Sequence, residues 1–343
     1  MSIIVVGDHP AMNEASVNAG PFTNGYWKYF RAKLRQAGID PDACTYLNVI
    51  NHPGASFYSF TQESKSGALT TLPQVAKKAW LRAEFAADLE ALYIYIRRLR
   101  PNIVIACGEL ALIALTHQNK LKFARGRVTT SIPRCGSVKV LPVLHPRAIL
   151  AEIRQEPVLL ADLMKARRQS AFPEVRRPQR YLHLRPSIED LEDFWQTYIV
   201  DKSTALSIDI ETKTPLITCV GIAPSPERVI VVPFFDEEKP DGNYWATPRE
   251  EKIAWQFVFR CLNTPGVEIF GHNWSYDIQY LWGKMGIPAY QWTNDTILMH
   301  HALQIEMEKS LGFLASIYSE ELAWKFMHKR RAADRSGKKD DEE

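Results

Sequence analysis

Three segments of this 343-residue chain, Ile3-Ile4-Val5-Val6, Ile103-Val104-Ile105-Ala106-Cys107 and Lys139-Val140-Leu141-Pro142-Val143-Leu144, are nearly unbroken apolar runs of strand length. They constrain the fold more than any other feature, because a strand with one wet face alternates polar and apolar residues and a strand buried on both faces does not. Residues at helical spacing follow them. After the first run, a loop over 7–25 leads to a helix over about 26–36, and Cys107 passes through Gly108 into another helix. A short strand is expected at 45–50. A long helix is expected over 72–99, with Trp80, Phe85, Leu89, Leu92 and Ile96 on one face and Pro101 closing it. Strands alternating with helices predict an α/β sandwich with a mostly parallel sheet.

The length suggests two domains. Phe172-Pro173-Glu174-Val175-Arg176-Arg177-Pro178-Gln179-Arg180 has two prolines, three arginines and no periodicity, and reads as the join. The expected organisation is a first domain over 1–172, a linker over 173–186, a second domain over 187–328 and a charged, disordered tail over 329–343. The net charge of +3 conceals an asymmetry: residues 1–172 hold 22 Lys and Arg against 12 Asp and Glu, about +10, which leaves about −7 for the rest. The first half is thus built to meet a polyanion. Cys44, Cys107, Cys135, Cys219 and Cys261 are scattered without a Cys-x-x-Cys pair, which excludes a disulfide framework and a zinc site and leaves core thiols. No apolar stretch is long enough to cross a bilayer and no leader is evident, so a cytoplasmic protein without membrane partners is expected.

In the second half, the apolar run Ala205-Leu206-Ser207-Ile208 ends in Asp209-Ile210-Glu211-Thr212. Residues two apart on a strand share a face, and two carboxylates at the edge of an apolar core are costly unless a cation neutralises them. About sixty residues on, Ile269-Phe270-Gly271-His272-Asn273-Trp274-Ser275-Tyr276-Asp277 reads as a strand, a glycine turn and the start of a helix, with Asn273 and Asp277 on one helix face. Trp274 and Tyr276 read as packing residues or as stacking contacts for a terminal nucleotide. A further helix begins behind Asn294-Asp295.

This ordered series resembles the DEDD-type 3′-to-5′ exonucleases, especially the proofreading domain of phage and bacterial family A DNA polymerases, over about 180–324. Lys309-Ser310-Leu311-Gly312-Phe313-Leu314-Ala315-Ser316-Ile317-Tyr318 is also similar to that lineage. The resemblance implies a ribonuclease H-like fold in which Asp209, Glu211 and Asp277 hold two divalent ions, Mg²⁺ or Mn²⁺. One ion activates the attacking water and the other stabilises the leaving 3′ oxygen, with Asn273 at the DNA strand. The family's fourth acid lies in a later helix, a few residues after a Tyr or His. The candidate here is Asp334, with Arg330 where Tyr or His is expected. The other source is a residue beyond Glu343, the chain then being the front part of a family A polymerase.

In the first half, Gly7-Asp8-His9-Pro10-Ala11, Gly20-Pro21-Phe22, Asn48 and His145-Pro146 all fall at strand ends or in adjoining loops, where an α/β sheet forms its ligand crevice. The layout resembles the uracil-DNA glycosylase superfamily, closest to the family 4 type, from Ile3 through about Arg168. Arg125-Gly126-Arg127 and His145-Pro146-Arg147-Ala148-Ile149-Leu150 follow in the family's order. The resemblance implies a three-layer α/β/α sandwich. In it Phe22 stacks on an extruded uracil, Asn48 meets its O4 and N3–H, Asp8 (in place of the family's Glu) holds the attacking water or stabilises the sugar cation, and His145 donates to O2. Arg125, Arg127 and Arg147 would contact phosphates. No iron-sulfur cluster is expected, since His52 stands where a cluster cysteine belongs and the N-terminal pair is missing.

Together these readings predict a hydrolase of DNA repair and replication in a bacterial or phage-infected cytoplasm. It would excise uracil through one domain and remove 3′-terminal nucleotides through the other. Its partners would be DNA, single-stranded or at 3′ ends, and a DNA polymerase domain in cis or in trans. Two other readings stay open: a non-catalytic DNA-binding or uracil-sensing module with a degenerate glycosylase and an incomplete exonuclease site, and a nuclease acting on RNA.

Overall fold

The structure, a computed structural model, describes residues 2–10, 22–52, 61–63, 74–76, 79–118, 120–176, 178–213 and 215–321. The chain forms two compact units, Met1–Arg176 with Gly312–Glu343, and Arg177–Leu311.

The first unit runs β1 (Ile3–Gly7), α1 (Gly25–Gln36), β2 (Thr45–Asn48), β3 (Thr61–Glu63), β4 (Gln74–Ala76), β5 (Ala79–Leu81), α2 (Ala86–Leu99), β6 (Ile103–Cys107), α3 (Glu109–Thr116), α4 (Leu121–Ala124), β7 (Thr129–Thr130), β8 (Lys139–Val143), α5 (Pro146–Ala151) and α6 (Glu156–Gln169). Its main sheet has the order β2-β1-β6-β8-β7, parallel except for the edge strand β7. Every residue of β1, β6 and β8 is buried. The reason is two separate cores. Ile4, Val6, Val104, Ala106 and Val140 pack with Leu89, Leu92 and Ile96 of α2 and Leu110 and Ile113 of α3. Ile3, Val5, Ile103, Ile105, Leu141 and Val143 face Trp27, Phe30 and Leu34 of α1 and Leu159 and Leu163 of α6. This is the α/β/α sandwich that the unbroken apolar runs require.

The helix expected over 72–99 begins only at Ala86. Ala79–Leu81 is instead the central strand of a small antiparallel sheet, β3-β5-β4. The spacing explains the difference: Phe85, Leu89, Leu92 and Ile96 keep the helical interval and are buried, whereas Trp80 stands five residues before Phe85, off that face.

The second unit contains β9 (Tyr181–His183), α7 (Ile188–Phe194), β10 (Ala205–Lys213), β11 (Leu216–Ser225), β12 (Arg228–Pro233), α8 (Pro248–Leu262), β13 (Glu268–Gly271), α9 (Trp274–Met285), β14 (Thr293–Asp295) and α10 (Thr296–Leu303). The sheet order is β14-β13-β10-β11-β12-β9. Strands β10, β11 and β12 are antiparallel neighbours, while β13 and β14 continue parallel to β10. That is the ribonuclease H-like arrangement, with β9 added at the edge. Leu206, Ile208 and Ile210 of β10 enter a core with Leu191 and Phe194 of α7, Phe257 and Val258 of α8, and Trp274 and Leu281 of α9. Strand β9 falls inside the expected linker. All three of its residues are exposed, and it is held by backbone pairing to β12 and by the Arg228 guanidinium over the Tyr181 ring, so no apolar pattern could reveal it.

After the second unit the chain returns to the first as α11 (Leu311–Tyr318), a segment expected in the second domain. Buried side chains hold it there. Arg125, 5% exposed, donates to Asp162 Oδ1 at 2.7 Å and to Ser316 Oγ, and Arg127, 8% exposed, donates to Gly312 O. Lys165 Nζ donates to Gly126 O at 2.7 Å, Ser316 O at 2.6 Å and Ser319 O at 2.7 Å. Arg168 and Gln169 bind the Glu320 carboxylate. Arg125 and Arg127 are therefore internal struts, not phosphate contacts. The last carbonyls of a helix lack intrahelical donors, and Lys165 supplies one at Ser316 O and at Ser319 O just beyond the helix.

The described cysteines are free thiols, with Cys107, Cys135 and Cys261 buried and Cys44 and Cys219 only half-buried. Among the described residues no helix is long and apolar enough to cross a membrane. The segment 322–343, with Asp334 and the expected tail, lies outside the described residues.

Removing Arg125 strands the Asp162 carboxylate in the interior. Arg125→Met should therefore cost about 3–5 kcal/mol in urea unfolding at neutral pH. Arg147→Met, at an exposed position, should stay within about 0.5 kcal/mol of the parent protein. Equal losses in the two variants would show that the buried pair does not hold the unit together.

Candidate active sites

In the first unit the parallel strands end side by side, and their last residues carry the polar groups. Gly7 pairs with Asn48, Val49 N donates to Gly7 O at 2.9 Å, and Gly108 N donates to Val143 O at 3.0 Å. Gly7 admits a close approach: a Cβ there would lie 2.8 Å from the Trp27 ring, 2.9 Å from Asn48 Oδ1 and 3.0 Å from the Phe22 ring. Asn48 is 8% exposed, and among the described residues its Oδ1 has no hydrogen-bond partner. A buried acceptor left without a donor costs roughly 1–3 kcal/mol, so an N–H or O–H from water or a ligand would satisfy it. Phe22 is buried with φ of 65°, its ring against Trp27 at 4.2 Å and Tyr46 at 5.2 Å between centroids.

His145 caps α5, and its Nδ1 accepts from Arg147 N at 3.1 Å. A backbone N–H can only donate, so Nδ1 carries no proton and Nε2 does. Burial, with Arg147 and His9 adding like charge, lowers the His145 pKa to about 3. The ring is thus a neutral donor leaning on Tyr26 and Trp27, each 5.5 Å away. Asp8 Oδ1 accepts from Ala111 N at 3.1 Å in the first turn of α3, under Gly108, whose φ of 99° no other residue adopts easily. Burial raises the Asp8 pKa to about 7 against the Ala111 amide, with Glu109 raising it and Arg147 lowering it. Arg147 itself is exposed.

In the second unit Asp209 and Glu211 project from the face of β10 opposite Leu206, Ile208 and Ile210, and the register to β11 shifts just after Glu211. Such bulges re-aim the side chains beside them. Asp277, 3% exposed, arrives from the first turn of α9, and its Oδ1 accepts from Ile210 N at 2.9 Å, between the two outward carboxylates. Burial raises the Asp277 pKa to about 6, opposed by the Ile210 amide, with Asp209 and Asp295 adding to the rise. Burial and Glu211 raise that of Asp209. All these donors are oxygens, the set that suits Mg²⁺ or Mn²⁺, and their mutual repulsion is what a divalent cation removes. Among the described residues no three metal-binding side chains close around one point, so a shared ion requires them to turn inward.

Asn273 is exposed, and at φ of 62° it occupies a left-handed conformation that costs an L residue roughly 1–2 kcal/mol. Trp274 is core, and its ring lies over Gly271. Tyr276 is exposed, its hydroxyl 2.7 Å from Thr212 Oγ1. Thus Asp8, Phe22, Asn48 and His145 gather at one end of the parallel strands, and Asp209, Glu211 and Asp277 gather at one end of β10. Trp27 and Asp295 were missed by sequence reasoning. Trp27 sits at a core position of an amphipathic helix, where spacing does not distinguish a neighbour of His145 and Gly7 from ordinary packing. Asp295 reads as the cap of α10 alone, and its second partner is distant in sequence.

A family model described as the uracil DNA glycosylase superfamily matches residues 1–187. The DNA polymerase of Bacillus phage SP01 is 22% identical over 305 residues, which covers 80% of this chain and 29% of that polymerase. The chain thus spans under a third of that relative's length. Among solved structures, Escherichia coli RNase D, an exoribonuclease involved in structured RNA processing, matches at 16% identity and a TM-score of 0.32, over 42% of this chain and 35% of its own. Trypanosoma brucei RNase D in complex with RNA U12 matches at 12% identity and a TM-score of 0.34, over 45% and 52%. The family match covers more than half of the chain, including Asp8, Asn48 and His145, and this protein belongs to the uracil DNA glycosylase superfamily.

Proposed function

We propose that the first unit excises uracil from DNA and that the second removes 3′-terminal nucleotides by divalent-metal-dependent hydrolysis. The observation that carries the first reading is the buried Asn48 Oδ1 beside Gly7, without a partner among the described residues. Uracil offers N3–H to that oxygen and O4 to the amide N–H of the same side chain, whereas cytosine presents the reversed pattern. The His145 Nε2–H donates to uracil O2 as the C1′–N1 bond breaks and negative charge moves onto the base. Water adds at C1′, and its proton passes to Asp8, whose pKa of about 7 suits a base at neutral pH. Exposed Arg147 contacts a phosphate.

In the second unit Asp209, Glu211 and Asp277 would hold Mg²⁺ or Mn²⁺, which when bound supplies an activated water and charge stabilisation at the leaving oxygen. Asp277 fixes the strand end through Ile210 N, while Asn273 and Tyr276 stand exposed beside it to meet the DNA end. The similarity to a phage DNA polymerase across 80% of the chain supports DNA over RNA as substrate, and a polymerase domain, in cis or in trans, as partner.

A uracil-containing single strand should release free uracil. His145→Ala should slow release by about 10²–10³-fold, and Asn48→Ala should weaken discrimination against cytosine. Binding without release by the parent protein would sink the glycosylase reading. The rate should rise with pH along one limb near pH 7 as Asp8 loses its proton, with no limb from His145 over roughly pH 5–9 because it stays neutral. A flat profile would remove Asp8 from the chemistry.

Shortening of a 5′-labelled oligonucleotide should require Mg²⁺ or Mn²⁺ and vanish in Asp209→Ala. Survival in that variant would refute the metal assignment. Because its carboxyl pKa is raised, Asp277 destabilises the metal-free fold as pH climbs from about 4 to about 6. Asp277→Asn, which keeps an acceptor for Ile210 N, should therefore stabilise the metal-free protein by about 3 kcal/mol at pH 7. The gain should disappear below about pH 4, and Mg²⁺ should raise the Tm of the parent protein only. Thermal unfolding with and without Mg²⁺ measures both, and a destabilised Asp277→Asn would contradict the account.

A further inference from the structure

We infer that Asp295 is the positioning residue for Asp277, and through it for the carboxylate end of the second unit. The inference rests on the exonuclease reading above. Helix α9 starts without a cap of its own: Asn273, at its N-cap, is left-handed and its side chain accepts no bond from the helix. The first N–H groups of a helix have no intrahelical acceptor and need one from elsewhere. Asp295 provides it from β14. Its Oδ1 accepts from Asn273 N at 3.1 Å and its Oδ2 from Trp274 N at 2.8 Å, while Oδ1 also accepts from Ile297 N at 2.8 Å. One carboxylate thus caps α9 and α10 together.

The placement is braced on both sides. Asp295 pairs with Gly271 across β14 and β13, and Gly271 lets the Trp274 ring approach to 2.5 Å of where a Cβ would stand. Thr296 Oγ1 donates to Gly271 O at 3.1 Å and lies 2.9 Å from His272 Nδ1. Three residues past Trp274, Asp277 reaches Ile210 N. The chain of contacts runs from β14 through the start of α9 to β10, so a loose α9 terminus lets the Asp277 carboxylate leave the Asp209–Glu211 end. Both Asp295 oxygens face amides, which makes it a support for the ligand set and not a member of it.

The test uses the full chain with Asp295→Ala and Asp295→Asn, read by amide hydrogen exchange at Ile210 and by the Mn²⁺ concentration that half-activates 3′ shortening. Asp295→Ala should speed exchange at Ile210 about tenfold and raise the Mn²⁺ requirement about tenfold, with KM for DNA unchanged. Asp295→Asn, which keeps one acceptor oxygen, should fall between; if the Ala variant does not fold, the Asn variant decides alone. Unchanged exchange at Ile210, or an unchanged Mn²⁺ requirement where hydrolysis is intact, overturns the inference. If the parent protein shortens no strand with any divalent ion, the exonuclease reading fails, and Ile210 exchange still decides whether Asp295 positions Asp277.

Discussion

A strand buried on both faces has no room for a polar side chain along its length, and in the first unit that constraint governs the rest. Strands β1, β6 and β8 send alternate residues into two separate cores, one against α2 and α3 and the other against α1 and α6. Polar chemistry is left only where the strands stop. Asp8, Asn48 and His145 stand at those stops, and backbone hydrogen bonds between neighbouring strand ends fix their spacing. The same burial that makes the sheet stable desolvates the groups at its rim. The Asp8 carboxyl rises to about 7 and the His145 imidazole falls to about 3, because burial disfavours the charged form of each.

The second unit meets the complementary case. Strand β10 buries only its even-numbered residues, so Asp209 and Glu211 occupy the outward face of a strand whose other face is core. The third carboxylate cannot come from that strand and arrives on α9, set by a bond to the strand's own amide. Gathering like charges beside buried surface raises the pKa of both Asp209 and Asp277.

The basic surplus of the first half divides in two when its residues are placed. Arg125, Arg127 and Lys165 turn inward, and Arg168 turns to Glu320, all to hold the segment that returns after the second unit. Arg147 stays exposed beside His145. Net charge by domain therefore overstates what is offered to nucleic acid, because composition does not distinguish a guanidinium that satisfies carbonyls from one that faces solvent.

The sequence by itself determined the α/β class, the strand-end placement of Asp8, Asn48 and His145, and the shared face of Asp209 and Glu211. Each is a consequence of periodicity, which burial imposes locally and which can be read residue by residue. Tertiary structure alone decided the rest. Strand β9 has no apolar pattern and exists through pairing with β12. Ala79–Leu81 became a strand because neighbours were at hand to pair with it. Helix α11 joined the first unit because buried cations there satisfied its carbonyls. Asp295 gained a second helix to cap from a residue 22 positions away. In every such case the deciding partner is distant in the chain, and a contact between distant residues leaves no period in the sequence from which to infer it.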